Sequence, residues 1–192
     1  MGGGYADAVA TGTAALFVSL ASLNLPTGSD VLVSPITDPG TLSAIILNGL
    51  RPKLVDSAPG SFNIDAETIA ARVDGRTSAV VVVHNFGRAV DMEPVMSMSV
   101  EVGIPVLEDC SQSHGAISAG RPVGSFGQIA AFSTMYRKIH MTGASGGVVF
   151  SKDEDTFRRA TAHADRGKPR WQSDFDDRDP RASDHVLTKD GV

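Results

Sequence analysis

The feature that most constrains this chain is an alternation of short β-branched runs with helix-like segments, which repeats from about residue 30 to residue 164. Such alternation is typical of parallel strands joined by crossover helices. The run 78–83 (SAVVVV) is apolar almost throughout, which indicates a central strand covered on both faces. We therefore predict an α/β fold of three layers, with helices on both sides of a mostly parallel sheet.

Strands and helices can be assigned along this alternation from residue type and punctuation. Gly49 and Gly103 stand just past two of the helices, where glycine commonly ends a helix in a left-handed conformation. The predicted strands are 30–34, 52–55, 78–83, 105–108, 129–132 and 147–150, and the predicted helices are 13–24, 41–47, 66–71, 92–102 and 153–164.

The composition changes after Ala164. Among residues 165–192 thirteen are charged, with both signs mixed, and Trp171 and Phe175 are the main apolar side chains. Such a segment buries little surface on its own. We therefore predict one domain over residues 1–164, followed by a charged, irregular tail over 165–192 that leads toward an absent smaller domain.

The charge balance and the apolar pattern narrow the class of partner. The formal net charge is -5, and no basic stripe suits nucleic acid or an anionic membrane. No apolar run approaches the roughly 20 residues of a membrane-spanning helix, and residues 1–5 lack the basic end and apolar core of a signal peptide. We predict a cytoplasmic protein whose partners are small molecules, with no nucleic acid and no membrane among them.

Polar side chains follow two predicted strands at the points where those strands end. Asp109 follows the apolar residues 104–107 and Gln112 comes three residues later, while Ser133 ends strand 129–132 and Lys138 follows it. Ligands of open α/β sheets bind beyond the carboxyl ends of the strands. A carboxylate for a protonated ring nitrogen, an amine for an aldehyde and a hydroxyl for a phosphate are what pyridoxal phosphate requires. We predict that this cofactor binds there.

A second phosphate-binding element is predicted at the start of the first helix. Gly12 and Thr13 precede good helix formers, and the free N–H groups and positive end of such a start attract anions. Taken singly, these signals are weak: a Gly-Thr pair often only caps a helix, a loop lysine is usually a surface charge, and a Glu-Asp pair is often a cap or an ion-pair member. The prediction depends on the joint order of the residues.

Other chemistries find less support in the sequence. The histidines show neither the spacing nor the carboxylate clusters of a zinc site, so no metal is predicted, and His84 and His114 are interpreted as packing or hydrogen-bonding residues. Cys110 is the single cysteine, which excludes an internal disulfide framework. A nicotinamide-binding Rossmann domain, suggested by the alternation alone, would need a Gly-x-Gly-x-x-Gly motif after a strand near the start, and none is present.

Six motifs, read in order along residues 4 to about 167, strongly resemble the DegT/DnrJ/StrS family. Members of that family are pyridoxal-phosphate enzymes of the aspartate-aminotransferase fold, mostly aminotransferases that place an amino group on a keto sugar, often nucleotide-linked, or on a cyclitol. The resemblance implies the large, cofactor-binding domain of that fold. The motifs are 12–16 (GTAAL), 63–65 (NID), 84–87 (HNFG), 108–116 (EDCSQSHGA), 123–127 (VGSFG) and 132–138 (FSTMYRK).

The resemblance also implies roles for individual residues and partners. Lys138 and Asp109 would be catalytic, with Lys138 joined to the cofactor aldehyde and moving a proton once freed. Glutamate or glutamine would donate the amino group to the keto sugar or cyclitol, and the protein would be a homodimer. The implied cofactor contacts are Lys138 at the aldehyde, Asp109 at the pyridine nitrogen, Gln112 at the ring hydroxyl side, and Ser133 with the Gly12 and Thr13 backbone at the phosphate.

Several departures from the family pattern keep alternatives open. Asp38 stands where many relatives have an aromatic residue that stacks on the ring, Arg137 replaces a common threonine, and 143–147 (GASGG) replaces Gly-Glu-Gly-Gly. The family's sugar dehydratases carry histidine where this chain has Lys138, which favours transamination, although His140 lies two residues away. Because relatives are about twice as long, a truncated or regulatory cofactor-binding module without turnover is the other alternative.

Overall fold

The computed structural model describes residues 1–164, so the tail predicted over 165–192 lies outside the described residues. Strands and helices alternate through most of this length. The strands are β1 Tyr5–Val9, β2 Asp30–Val33, β3 Arg51–Leu54, β4 Thr77–Val83, β5 Val106–Asp109, β6 Ile117–Ser118, β7 Arg121–Pro122, β8 Ile129–Ser133 and β9 Gly147–Ser151. The helices are α1 Gly12–Ser22, α2 Pro39–Leu47, α3 Ala66–Ala70, α4 Met92–Val102 and α5 Glu154–Ala164, with a 3-10 turn at Asn85–Gly87.

One sheet of seven strands forms the centre of the molecule, in the order β1-β9-β8-β5-β4-β2-β3. The five strands from β8 to β3 are mutually parallel, whereas β9 runs antiparallel to both β8 and β1. The predicted α/β class with a mostly parallel sheet is therefore confirmed. The same edge of the sheet carries the carboxyl ends of β2, β4, β5 and β8, each of which leads into a loop.

Apolar side chains on one face of the sheet pack against α1, α2 and α5. Leu16 and Leu20 of α1, Ile45 of α2 and Ala160 of α5 belong to a buried cluster with Val81 of β4. Burying a valine or leucine side chain contributes about 1.5–3 kcal/mol, so this cluster fixes α1 firmly on the sheet. The helix start, and with it Gly12, is thereby placed next to the carboxyl ends of the strands.

The opposite face of the sheet is covered by α3 and α4. Ile69 of α3 and Met92 and Val95 of α4 pack against Val80 and Val82 of β4. Because alternate residues of a strand point to opposite faces, β4 is buried on both sides, as its apolar run predicts. The three-layer arrangement is complete over the central strands.

The predicted helices and strands all occur, with ends shifted by a few residues. Helix α4 ends at Gly103 in the left-handed conformation (φ 72°), and Gly49 takes a similar conformation after α2. The short strands β1 and the β6–β7 hairpin were not predicted. Tyr5–Val9 contains a charge and two alanines and pairs only with β9, so it lacks the β-branched signal of a central strand. Among residues 1–164, no helix has the length and hydropathy that a membrane span requires.

Candidate functional site

A pocket of about 230 Å³ opens where the carboxyl ends of the strands meet the start of α1. The six residues singled out in the sequence as cofactor contacts all line it, so the structure brings together segments that are as far apart as Gly12 and Lys138. Their roles toward a cofactor stay predictions. The lining residues are Thr11, Gly12, Thr13, Leu16, Thr37, Asp38, Gly40, Thr41, Val83, Asp109, Ser111, Gln112, Ser133, Met135, Lys138 and Ser145.

Asp109 is the last residue of β5 and its carboxylate lies at the floor of the pocket. The residue is buried, with 3% of its surface exposed. One oxygen, Oδ1, accepts a hydrogen bond from the Ser111 N–H at 3.1 Å, and the other, Oδ2, accepts one from the Thr41 hydroxyl at 2.9 Å. Each carboxylate oxygen has two lone pairs, so the group keeps acceptor capacity for a ligand in the pocket.

The start of α1 offers backbone donors beside Ser133. Thr11 caps the helix, since its hydroxyl accepts a hydrogen bond from the Ala14 N–H at 2.9 Å. The N–H groups of Gly12 and Thr13 lie in the first turn, where a helix supplies no acceptor, and they have no partner among the described residues. Gly12 is required by its surroundings, because a Cβ at this position would lie 2.5 Å from the Cβ of Ser133. Backbone donors and a hydroxyl therefore meet at one wall of the pocket.

Lys138 lies in a loop whose two ends are joined. At the base of the loop, Thr134 donates its N–H to the Gly146 carbonyl at 2.9 Å, and the hydroxyls of Thr134 and Thr142 are 2.9 Å apart. The Lys138 N–H donates to the Met135 carbonyl at 2.9 Å, which turns the chain back toward the sheet. No ion pair or side-chain hydrogen bond of the Lys138 amine occurs within residues 1–164. The amine is therefore available to a ligand.

Gln112 is held in place from the loop after β4. Its Oε1 accepts a hydrogen bond from the Phe86 N–H at 3.1 Å. Phe86 adopts φ 54°, in the left-handed region that bulky residues seldom occupy, and its ring is largely exposed beside Phe62. The bond uses the carbonyl side of the Gln112 amide, which leaves the amide NH₂ to donate into the pocket.

The loop after β2 contributes residues that sequence reasoning did not assign to the site. Thr37 and Thr41 line the pocket and their hydroxyls are hydrogen-bonded at 2.8 Å. Asp38 also lines the pocket and caps α2, because its Oδ1 accepts a hydrogen bond from the Gly40 N–H at 2.9 Å. The position of this loop at the carboxyl end of a parallel strand was the available signal. Asp38 thus has a structural task that an aromatic residue could not perform.

Glu108 precedes Asp109 and points to the opposite face of the sheet, where it is fully buried. Its Oε1 accepts hydrogen bonds from the Phe126 and Gly127 N–H groups at 2.8 and 2.7 Å, and its Oε2 accepts one from the Gly124 N–H at 2.6 Å. Burial raises the pKa of Glu108, but the hydrogen bonds from His84 and from the Gly127 and Gly124 N–H groups outweigh it, so the pKa lies below its ordinary value.

His84 completes the surroundings of Glu108. Its Nδ1 accepts a hydrogen bond from the Val90 N–H at 3.0 Å, so the ring proton lies on Nε2, which is 3.2 Å from Glu108 Oε2. The ring is entirely buried. This arrangement agrees with the interpretation of His84 as a hydrogen-bonding residue.

His84, Glu108 and Cys110 also bring three potential metal-ligand atoms within 4.8 Å of one another. The lone pairs are already in use, because Glu108 accepts from backbone N–H groups and His84 Nε2 carries a proton. Burial raises the pKa of the Cys110 thiol well above its ordinary value, and the neighbouring carboxylates add to the effect. The trio is therefore a structural cluster, and the absence of a resident metal stays a prediction.

His114 and His140 lie behind Lys138. Their Nδ1 atoms are 3.1 Å apart and their rings stack with centroids 5.2 Å apart. Burial lowers the pKa of His114, and the charges of His140 and Lys138 lower it further. His114 does not line the pocket, and it packs against Phe132. The packing role expected for His114 agrees with this position.

Comparison with known proteins relates this geometry to two characterised names among others. Protein MosB of Rhizobium meliloti is 38% identical over 153 residues, which are 80% of this chain and 30% of MosB. L-glutamine:scyllo-inosose aminotransferase of Streptomyces griseus is 32% identical over 152 residues, which are 79% of this chain and 36% of that protein. The chain therefore spans well under half the length of the curated relatives it matches.

Solved structures share the fold as well as the sequence. An aminotransferase from Psychrobacter cryohalolentis superposes with a TM-score of 0.84 at 39% identity, covering 86% of this chain and 42% of that one. A GDP-4-keto-6-deoxymannose-3-dehydratase superposes with a TM-score of 0.77 at 28% identity, covering 82% and 42% respectively. A family model described as the DegT/DnrJ/EryC1/StrS aminotransferase family matches residues 1–178. The chain belongs to the DegT/DnrJ/EryC1/StrS aminotransferase family.

Proposed function

We propose that this chain is the cofactor-binding part of a pyridoxal-phosphate-dependent aminotransferase. The observation that carries the proposal is the meeting of an unpaired lysine amine, a buried carboxylate, a hydroxyl and free helix-start N–H groups around one pocket. Membership of an aminotransferase family supports the same reaction class. The proposed acceptor is a keto sugar, often nucleotide-linked, or a cyclitol, and the proposed donor of the amino group is glutamate or glutamine.

The residues of the pocket fit pyridoxal phosphate in chemistry. The N–H groups of Gly12 and Thr13 and the hydroxyl of Ser133 suit a phosphate, which a helix start attracts. The open space that a Cβ at Gly12 would fill keeps this wall accessible to phosphate oxygens. Asp109 suits a protonated ring nitrogen, and the Gln112 NH₂ suits the ring hydroxyl. These four groups would bind and orient the ring.

When bound, pyridoxal phosphate supplies an aldehyde that condenses with amines and a ring that withdraws electrons. The chain's own residues then have two tasks. Asp109 keeps a proton on the ring nitrogen by pairing its negative charge with it. The Lys138 amine, once released from the aldehyde carbon, moves a proton between the substrate carbon and the cofactor carbon. Both groups must share the pocket for the reaction to proceed.

Borohydride reduction tests the attachment point. Protein incubated with pyridoxal phosphate and then reduced should carry the added mass on Lys138 alone, as read by peptide mass spectrometry. Lys138→Ala should lose the label and the visible absorption band, whereas Lys152→Ala, which removes an exposed lysine outside the pocket, should keep both. Labelling at another lysine in the wild-type protein would overturn the assignment.

Transfer of nitrogen distinguishes the proposal from its two alternatives. The short span of the chain relative to its relatives favours a binding module without turnover, and the dehydratase among the matched structures keeps dehydration as a candidate. ¹⁵N from labelled glutamate or glutamine should appear in the amino product of a keto sugar. An attached cofactor without transfer would favour the module, and a deoxy keto product would favour the dehydratase.

Homodimer formation is part of the proposal. The loop that carries Lys138 exposes the apolar side chains of Tyr136, Ile139 and Met141, with 55%, 64% and 62% of their surfaces accessible. Exposed apolar groups of this kind commonly mark contact surfaces. Light scattering should give twice the 20.0 kDa mass of the chain, and the monomer mass would contradict this part. The cytoplasmic location predicted from the sequence is likewise a proposal.

A further inference from the structure

The loop after β2 delivers a chain of hydroxyl groups to the Asp109 carboxylate. Thr37 donates its hydroxyl to the Thr41 oxygen at 2.8 Å, and Thr41 donates its own hydroxyl to Asp109 Oδ2 at 2.9 Å. Thr41 lies in the first turn of α2 with 1% of its surface exposed, so water cannot take over its part. Residues 68 positions apart in the chain are joined by this contact.

The direction of the hydroxyl protons gives the chain its effect. Because Thr41 accepts from Thr37, its own proton is directed away from Thr37 and toward Asp109. The Thr41 backbone is fixed as well, since its N–H donates to the Asp38 carbonyl at 3.0 Å. Both the oxygen and the proton that Asp109 meets are therefore set before any ligand arrives.

The second contact of Asp109 is local and restrains the carboxylate less. Ser111 N–H reaches Oδ1 from two residues along the same chain, an arrangement typical of turns at Asp and Asn. A single local bond leaves the carboxylate free to rotate about its Cβ–Cγ axis. The bond from Thr41, which comes from another segment, restrains the other oxygen and hence the plane of the group.

We propose that Thr41, oriented by Thr37, is a positioning residue that holds the Asp109 carboxylate in the plane and direction in which it meets a ring nitrogen. Thr41 acts through Asp109 and touches no reacting atom. The part of this inference that concerns the ring nitrogen rests on the proposed function. The part that concerns the orientation of Asp109 holds for the protein without a ligand.

The first test uses protein without cofactor. Three-bond couplings to the Asp109 carboxyl carbon, measured by NMR, should report one side-chain rotamer in the wild type and in Thr41→Ser, and averaging in Thr41→Val. Thr161→Val is the matched control, because Thr161 donates only to the Arg158 carbonyl of its own helix at 2.9 Å. A single unchanged Asp109 rotamer in folded Thr41→Val would overturn the inference.

The second test asks whether Thr41 acts through the ring nitrogen. Thr41→Val should bind pyridoxal phosphate about tenfold more weakly, the effect expected for a hydrogen bond to a charged group, and Thr41→Ser should restore the affinity. An analogue with C–H in place of the ring nitrogen should show less than about a twofold change for the same variant. Equal losses for both ligands would overturn this part.

The two tests keep the inference separable from the proposed function. If wild-type protein binds no pyridoxal phosphate, the proposed function fails, while the NMR couplings still decide whether Thr41 orients Asp109. If binding is normal and the couplings of Thr41→Val are unchanged, the inference fails and the proposed function stands. Thermal unfolding of each variant separates a loss of positioning from a loss of folding.

Discussion

Glu108 and Asp109 are neighbours on β5 and have opposite surroundings. Glu108 lies on the face covered by the segment 124–127, where three backbone N–H groups and His84 occupy both of its oxygens. Asp109 lies on the face toward α1 and α2, with one protein donor at each oxygen and a pocket in front of it. A difference of one residue along a strand therefore separates a carboxylate that holds the fold from one that is free to bind a ligand.

The comparison shows that burial alone does not distinguish a functional carboxylate. Both residues are buried, with 0% and 3% of their surfaces exposed. What differs is the remaining acceptor capacity, because a carboxylate whose lone pairs are filled by backbone donors has nothing left for a ligand. The two roles can be separated experimentally with matched changes from carboxylate to amide.

The largest effect is expected from Glu108→Gln. The new NH₂ group would face backbone N–H donors in a site without water, so we expect a loss of about 2–4 kcal/mol in the free energy of unfolding. Urea denaturation followed by circular dichroism measures this loss. Glu101→Gln, at an exposed position near the end of α4, should change the same quantity by less than about 0.5 kcal/mol.

Asp109→Asn should show the opposite balance. We expect less than about 1 kcal/mol of change in the free energy of unfolding, since the amide oxygen can still accept from Ser111. The affinity for pyridoxal phosphate should fall by about a hundredfold, because the charge paired with the ring nitrogen is gone. Titration by absorbance gives the affinity, and Asp38→Asn is the control on the same pocket. A comparable loss of affinity in both variants would show that the pocket responds to charge in general.

Acidification should separate wild type from Glu108→Gln. Because the pKa of Glu108 in the folded protein lies below its ordinary value, its ionised form stabilises the fold above about pH 4.5. This contribution is lost as the pH falls through the folded-state pKa. Unfolding free energies measured from pH 7 downward should therefore decline more in the wild type than in the variant. Parallel profiles would mean that the hydrogen bonds to Glu108 do not depend on its charge.

The smallest effect is expected from Thr37→Val. This change removes the donor that orients Thr41 but leaves the Thr41 hydroxyl in place, so the affinity for pyridoxal phosphate should fall by only about two- to threefold. The unfolding free energy should stay within about 1 kcal/mol of wild type. A loss as large as that in Thr41→Val would show that the two hydroxyls act as one unit.

The sequence predicts the parts of this molecule that depend on local patterns. The apolar run of β4 predicts a strand buried on both faces, and Gly103 predicts the end of α4, because both signals lie within the element itself. The pocket follows from a topological rule, since Asp109, Ser133 and Gly12 stand at strand or helix ends that parallel pairing brings together.

The remaining features depend on contacts between distant segments. Nothing near Thr41 in sequence indicates that it bonds to Asp109, and nothing near Glu108 indicates that 124–127 supplies its donors. The hairpin of β6 and β7 has strands of two residues each, around a turn in which Ala119 has φ 44°. Such short strands carry too few side chains for a period to be recognised.

The closed base of the Lys138 loop has a consequence for protein engineering. The bonds between Thr134 and Gly146 and between Thr134 and Thr142 clamp the two ends of the segment, so its interior can change length without moving Ser133 on the sheet. Doubling the length of a closed loop costs only about 0.6 kcal/mol. The segment therefore behaves as an exchangeable cassette, in which residues grafted from relatives around Lys138 would alter what the amine meets while its anchorage stays the same.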